Sequence, residues 1–132
     1  MSRELDVARV NSITAQIVDA AMKVHSALGP GLLESAYQAC LAHELRKRGL
    51  SVEEEVPLPL LYDGIRVDVA YRIDMVVQGC VLLELKAVAK QLPVHEAQLL
   101  SNLRLSGYKV GLLMNFHSMF LKDGIKRMVN KL

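Results

Sequence analysis

The segment from Val81 to Phe116 most constrains what this chain can fold into. It begins with the run VLLELK, in which both faces of an extended strand are largely apolar, a pattern typical of a central strand covered on two sides. A helical stretch follows, with Pro93 near its first turn and Gly107 just beyond its end, and then the apolar run YKVGLLMNF. A strand, a helix and a second buried strand predict a crossover unit whose two strands are parallel.

Two helices are predicted before this unit. Apolar residues recur at helical spacing from about Asn11 to Leu28, and a Gly-Pro-Gly sequence ends that helix. The second helix begins near residue 32 and ends at the sequence RKRG, where Gly49 suits the C-cap. Its basic residues also suit the negative end of a helix.

Strands are predicted between Ser51 and Val88, with an Asp-Gly hairpin turn within Tyr62–Ile65. From residue 32 onward the order is therefore α-β-β-β-α-β, preceded by one extra helix. The tail FLKDGIKRMVN fits either a hairpin or a terminal helix. The fold class is α/β.

Length and composition predict one domain. The chain has 132 residues and no internal repeat or linker, so residues 1–132 form a single domain with a helix at 1–28, a core at 32–116 and a C-terminal extension at 117–132. Hydrophobic residues make up 52% of the chain, which indicates a self-association surface. A homodimer is the commonest closed form of such an assembly.

Charge is unevenly distributed along the chain. Net charge is only +2, but residues 1–85 carry 8 Lys and Arg against 12 Asp and Glu, whereas residues 86–132 carry 8 against 2. The C-terminal half therefore faces a polyanion or is an ordinary solvated surface. The two cysteines are far apart and lack metal-site spacing, which indicates reduced thiols. Without a signal-peptide pattern or an apolar run of roughly 20 residues, we expect a soluble, cytoplasmic protein with no membrane partner.

Three charged residues stand out within the predicted hairpin YRIDMVVQGCVLLELKAV. Glu84 and Lys86 are two residues apart on one strand and so point to one face, and Asp74 lies on the neighbouring strand. Two carboxylates suit a hard cation such as Mg²⁺, which lowers the pKa of bound water, and a lysine stabilises charge that develops on a phosphate. The three residues therefore have the chemistry of metal-assisted phosphodiester hydrolysis, but an ion pair inside a sheet explains them as well.

The length of the hairpin loop decides whether the two acids meet. A two-residue turn at Gln78-Gly79 places Asp74 and Glu84 on opposite faces, whereas a three-residue loop from Gln78 to Cys80 pairs Val77 with Val81 and places Asp74 opposite Glu84. The catalytic interpretation therefore requires an odd loop or a bulge.

The αβββαβ order, with an acid and an E-x-K sequence on adjacent strands, resembles the PD-(D/E)XK nuclease superfamily. The sequence GLLESAY at residues 31–37 matches the motif of the GxxExxY family, and the blocks YRIDMVV, LELKAV, HEAQLL and GLLMNF are similar to that family's blocks. The similarity covers roughly residues 10–130. It implies a restriction-endonuclease-like core with a mixed sheet and metal-dependent cleavage of nucleic acid.

The resemblance also implies roles for individual residues. Asp74 and Glu84 would be metal ligands, the Leu85 carbonyl a further ligand and Lys86 the catalytic lysine. Glu34, at the start of the second helix, would bind the metal directly or through water, or would be only a favourable charge at a helix N-terminus.

The helix after the hairpin would supply accessory residues. Gln98 would assist at the site, and His95 lies three residues before it on the same face, although a local hydrogen bond at the helix start explains His95 as well. Related nucleases often have a tyrosine four residues after this glutamine, where this chain has Asn102. Five basic residues are candidates for phosphate contacts, namely Arg104, Lys109, Lys122, Lys126 and Arg127. With two phenylalanines, four tyrosines and no tryptophan, composition does not indicate single-strand readout.

The sequence thus predicts a nuclease that depends on Mg²⁺ or Mn²⁺ and acts on nucleic acid, with DNA favoured over RNA. Two alternatives stay open. The first is a non-catalytic module that keeps the fold and binds nucleic acid or protein, and the second is a structural oligomer that binds no metal.

Overall fold

The structure is a computed structural model that describes residues 3–130, with the side chains of residues 3–5 and 69–70 outside the description. Its helices and strands follow one another as α1 (Arg3–Leu28), α2 (Glu34–Lys47), β1 (Val52–Tyr62), β2 (Ile65–Val77), β3 (Val81–Lys86), α3 (Pro93–Ser106), β4 (Val110–Asn115), a short 3-10 helix (Leu121–Gly124) and β5 (Ile125–Val129).

Five strands form one mixed sheet in the order β1-β2-β3-β4-β5. Strands β3 and β4 are parallel and the other neighbours are antiparallel, so the predicted crossover unit and the α-β-β-β-α-β order are confirmed. The tail, which fitted two structures, forms the short 3-10 helix and then β5, whose Val129 pairs with Val110. The mixed sheet and the extra N-terminal helix agree with the predicted restriction-endonuclease-like fold.

Helices cover both faces of the sheet. One core cluster joins α1 and α2 to one face, with Ile17 and Leu41 packed near Leu83 and Leu85. The second cluster joins α3 to the other face through Leu99 and other buried residues. The first five residues of β3 are all buried, which confirms the prediction of a central strand covered on two sides.

Helix boundaries differ from prediction mainly at the N-terminus. Helix α1 begins at Arg3, eight residues before the predicted start. Among the residues whose burial is described, the first buried one in α1 is Val10, so the earlier turns carry little of the apolar periodicity by which a helix is recognised. Within the part of the chain that the structure describes, no helix is long and apolar enough to cross a membrane.

The β1–β2 hairpin is longer than the rest of the sheet. Asp63 and Gly64 both have positive φ, +48° and +77°, as a two-residue hairpin turn requires, and the predicted turn is confirmed. Farther along the hairpin the register shifts, since Leu60 pairs with Val67 but Leu58 pairs with Tyr71. This irregularity decides which residue of β1 lies beside the candidate site.

Candidate active site

The connection between β2 and β3 has three residues. Val77 pairs with Val81 and Met75 with Leu83, so the same register continued by one residue places Asp74 opposite Glu84. The backbone makes this loop with Gln78 and Gly79 at positive φ, +54° and +63°. The structure therefore meets the condition on which the catalytic interpretation depended.

Asp74 and Glu84 contact each other at the carboxyl end of β3. Their side chains share a hydrogen bond, and the Leu85 N–H donates to Asp74 Oδ2 at 2.8 Å. Burial raises the pKa of Glu84 to about 8, and the charge of Asp74 adds to this shift. Burial also raises the pKa of Asp74, although the hydrogen bond from the Leu85 N–H favours the charged form and lowers it in part. Two carboxyl groups that resist ionising together are a site that a cation would stabilise.

Asn102 holds the second acid in place from α3. Its Nδ2 donates to Glu84 Oε1 at 3.0 Å, and both side chains are buried. Asn102 Oδ1 is also buried and has no hydrogen-bond partner among the described residues. Asn102 was noted in the sequence only as a departure from the tyrosine of related nucleases, whereas the structure identifies it as the residue that orients Glu84.

Glu34 approaches the same site from α2. It is half-buried at the first position of the helix. Burial raises its pKa, the charge of Asp74 raises it further, and Lys86 opposes the shift. These mutual effects mean that Glu34 lies near the acids and the lysine, as the resemblance implied, although a ligand role for it stays a prediction.

The GLLESAY motif has a physical explanation in the turn between α1 and α2. Gly31 has φ of +104°, a conformation that favours glycine. The Tyr37 hydroxyl donates to the Gly29 carbonyl at 2.5 Å and accepts from the Leu32 N–H at 3.1 Å. The Tyr37 ring is buried and stacks on Phe116 with the ring centroids 4.7 Å apart. The glycine and tyrosine thus fix the turn that leads into Glu34.

Two residues of the site were missed from the sequence. Glu55 adopts a left-handed conformation in β1, with φ of +51°, and its charge raises the pKa of both Asp74 and Glu34. Gln38 Nε2 donates to Glu55 Oε1 at 3.0 Å and to the Asp74 carbonyl at 3.3 Å. The only sequence signal for Glu55 was the run of three glutamates at the start of β1.

Lys86 ends β3 on the same face as Glu84. Its side chain is half-buried, and its carbonyl accepts a hydrogen bond from the Phe116 N–H at 2.8 Å, which fixes the backbone there. The roles predicted for Lys86 and for the Leu85 carbonyl follow this arrangement but stay predictions.

The accessory residues of α3 differ in what they contact. The Leu92 N–H donates to His95 Nδ1 at 3.0 Å, so the alternative of a local hydrogen bond at the helix start is confirmed for His95. Gln98 is exposed, and in the described part of the chain no hydrogen bond joins it to the acids. Its assisting role stays a prediction.

The basic residues assigned to phosphate contacts lie on different surfaces. Lys126 pairs with Glu96 at 3.3 Å, and Arg127 donates to Asn11 and Thr14 on α1. Arg104, in the last turn of α3, and Lys109, just before β4, lie at the opposite end of the sheet from the acids. Lys122 follows β4 at the carboxyl end of the parallel strands, which is the end that carries the acids.

The donor set suits a cation that keeps much of its own water. Within residues 3–130, no group of three or more histidine, cysteine or acidic side chains is placed to hold a metal ion. Magnesium needs only one or two protein carboxylates, because it retains several waters. Asp74 and Glu84 meet this need, and burial, which raises the pKa of both, disfavours their charged forms unless a cation is present.

Comparison with known proteins agrees with this geometry. No curated protein and no solved structure matches the chain. The family model of the PD-(D/E)XK nuclease superfamily matches residues 11–128, which is most of the chain and includes the acids, the lysine and the helices around them. The chain therefore belongs to the PD-(D/E)XK nuclease superfamily.

Proposed function

We propose that the protein is a nuclease of the GxxExxY type, which hydrolyses phosphodiester bonds of nucleic acid with Mg²⁺ or Mn²⁺. The observation that carries the proposal is the three-residue loop, because it brings Asp74 against Glu84 on the face that also carries Lys86. Superfamily membership makes nucleic acid the expected partner and a divalent metal the expected cofactor. DNA is favoured over RNA, residues 1–132 act as one domain, and we expect the protein in the cytoplasm.

Asp74, Glu84 and the Leu85 carbonyl would hold the metal. When bound, the metal supplies charge neutralisation at the phosphate and makes a water molecule more acidic. Asn102 and the Leu85 N–H keep the two carboxylates in place, because each donates a hydrogen bond to one of them. Such outer contacts fix the orientation of ligands.

Lys86 would act on the reacting groups. A water oxygen forms a bond to phosphorus and gives up a proton to solvent, while the bond from phosphorus to the leaving sugar oxygen breaks and that oxygen takes a proton from solvent. Negative charge grows on the phosphoryl oxygens during this step. The Lys86 ammonium group orients the water and stabilises this charge. Glu34 would contribute through water at the open side of the site, and Gln98 would assist once substrate is present.

The proposal is tested by cleavage of a panel of nucleic acids. Supercoiled DNA, linear duplex, single-stranded DNA and RNA are incubated with Mg²⁺, Mn²⁺ or EDTA. Metal-dependent cutting should be lost in Lys86→Ala and retained in Lys47→Ala, a matched change of an exposed lysine at the end of α2. Equal cutting by the Lys86→Ala protein would contradict the assigned role.

The second candidate is a binding module that keeps the fold and does not cut. The asparagine at position 102 favours it, because related nucleases often have a tyrosine there, and Gln98 is exposed with no hydrogen bond to the acids in the described part of the chain. Under this alternative, wild type and Lys86→Ala bind nucleic acid with similar affinity and neither cuts any substrate.

A further inference from the structure

Four large exposed apolar side chains, which we call the apolar strip, lie in the two loops at the end of the sheet that carries the candidate site. Leu32 and Leu33 precede α2, and Met119 and Phe120 lie in the loop after β4. Their exposed fractions are 42%, 77%, 75% and 64%. This apolar strip ends at Glu34, the residue that follows Leu33.

The loop that carries Met119 and Phe120 is held firmly. His25 Nε2 donates to the Ser118 carbonyl at 2.9 Å, and the Ser118 N–H donates to the Asn115 carbonyl at 3.2 Å. A side chain at Gly124 would begin only 2.7 Å from the Asn115 carbonyl oxygen, so the chain packs closely there. The Tyr37 hydroxyl fixes the other loop, which carries Leu32 and Leu33. The strip is therefore exposed on ordered backbone.

The two loops that carry these side chains meet at one cleft. A cleft of about 510 Å³ is lined by Gly29 and Pro30 from one loop and by Met119 and Phe120 from the other. The loop after β4 begins at Phe116, whose N–H donates to the Lys86 carbonyl. On the other loop Leu33 directly precedes Glu34, which lies near Lys86, so a ligand that contacts Leu33 lies beside the proposed catalytic lysine.

Lys122 lines the same cleft as Met119 and Phe120. Lys90 and Lys122 are exposed in the connections that leave the carboxyl ends of β3 and β4, and neither forms an ion pair among the described residues. The two connections contact each other, since Gln91 Nε2 donates to the Gly124 carbonyl at 3.4 Å. Lysines beside exposed apolar groups match a nucleic acid, which presents phosphates and the faces of unpaired bases.

We propose that the apolar strip binds unpaired bases, so that the substrate of this site contains a single-stranded or unpaired segment next to the cleaved phosphate. This inference rests on the proposed function, because the strip leads to the proposed catalytic groups. A second copy of the chain or a protein partner seated on the strip would block the approach to Lys86. Substrate bases do not have this effect, because they cover the strip only while the substrate is bound for cleavage. The structure thus adds single-strand contact, which composition alone did not indicate.

The test measures binding without cleavage. Fluorescence anisotropy with EDTA compares a labelled 20-nucleotide single strand with the blunt duplex of the same sequence. Phe120→Ala should weaken single-strand binding by about tenfold, Met119→Ala should weaken it less, and both should change duplex binding by less than about twofold. Leu105→Ala is the control, because Leu105 is an exposed apolar residue at the far end of α3. Thermal unfolding verifies that the variants are folded, and light scattering gives the mass of each.

Each outcome decides a different point. If both variants bind the single strand as tightly as the wild type, the inference is overturned. Metal-dependent cutting by the wild type would still support the proposed function in that case. A wild-type dimer that dissociates in Phe120→Ala shows that the strip binds a second copy and also overturns the inference. Absence of both binding and cutting on every nucleic acid rejects the proposed function itself. Selective loss of single-strand binding supports the inference.

Discussion

Replacement of Glu84 by glutamine should stabilise the metal-free protein at neutral and alkaline pH. Burial and the neighbouring Asp74 raise the pKa of Glu84 to about 8 in the folded protein, from the ordinary value of 4.5. Between these two pH values the folded protein holds a proton that the unfolded chain has released, so the free energy of unfolding falls as pH rises. The stabilisation from this proton is complete below pH 4.5 and is lost as pH passes 8.

The size of the effect follows from the same numbers. At about 1.4 kcal/mol for each pH unit, the interval from 4.5 to about 8 corresponds to about 5 kcal/mol. Glu84 is only 8% exposed, so water screens little of this cost. Glutamine has the same shape and no charge, but Asp74 still ionises in a buried place. We therefore expect the free energy of unfolding of the Glu84→Gln variant to be about 3 kcal/mol higher than that of the wild type at pH 8.5.

Urea unfolding followed by circular dichroism measures this difference at pH 5, 6.5 and 8.5 in EDTA. The wild type and Glu84→Gln should have the same free energy of unfolding at pH 5, and the difference between them should grow as pH rises. Glu53→Gln, an exposed change on β1, should have the free energy of unfolding of the wild type at each pH. Added Mg²⁺ should raise the free energy of unfolding of the wild type at pH 8.5 and should raise that of the Glu84→Gln variant much less. Parallel pH curves for wild type and Glu84→Gln would refute the reasoning.

Two further substitutions test how the site is supported. Asn102→Leu removes the hydrogen bond to Glu84 and should weaken Mn²⁺ binding roughly 10- to 100-fold in calorimetric titration. The loss of stability should be small, because the substitution also removes a buried amide oxygen that has no hydrogen-bond partner among the described residues. Unchanged Mn²⁺ affinity would contradict the orienting role. Tyr37→Phe leaves the Gly29 carbonyl and the Leu32 N–H without their partner and should lower the free energy of unfolding by about 1–3 kcal/mol in urea. A loss below about 0.5 kcal/mol would mean that the hydroxyl does not hold the turn.

The central part of the fold was predictable because local pattern and chain connectivity agreed. The run at Val81–Lys86 is apolar on both faces, and only a strand between two layers of helices buries both faces. A helix between two such strands then leaves a parallel pair as the simple connection. The tail was not predictable, because β5 at Ile125–Val129 is only partly buried and shows no clear alternation.

Glu55 could not be identified, because its position depends on an irregularity inside the hairpin. The Asp-Gly turn pairs Tyr62 with Ile65, and regular pairing continued from this turn would place Glu53 opposite Asp74. The shift between Leu58 and Leu60 moves the register by two residues, so that Glu54 pairs with Met75 and Glu55 comes beside Asp74. The shift lies at Pro59, and a proline inside a strand indicates an edge strand or a bulge but not how far the register moves.

The residues of the loop after β2 do not decide between a two-residue and a three-residue connection, but the cost of burying charge selects between the two registers. With a two-residue turn, Glu84 would point between β3 and the helices α1 and α2, as an isolated carboxylate among apolar side chains. With three residues, Glu84 faces Asp74 and Asn102 on the side of α3. A two-residue hairpin turn would also need positive φ at Gln78, so the burial of charge, and not the backbone conformation, separates the two registers. The same energetic preference that sets the hairpin register therefore also assembles the acids of the candidate site.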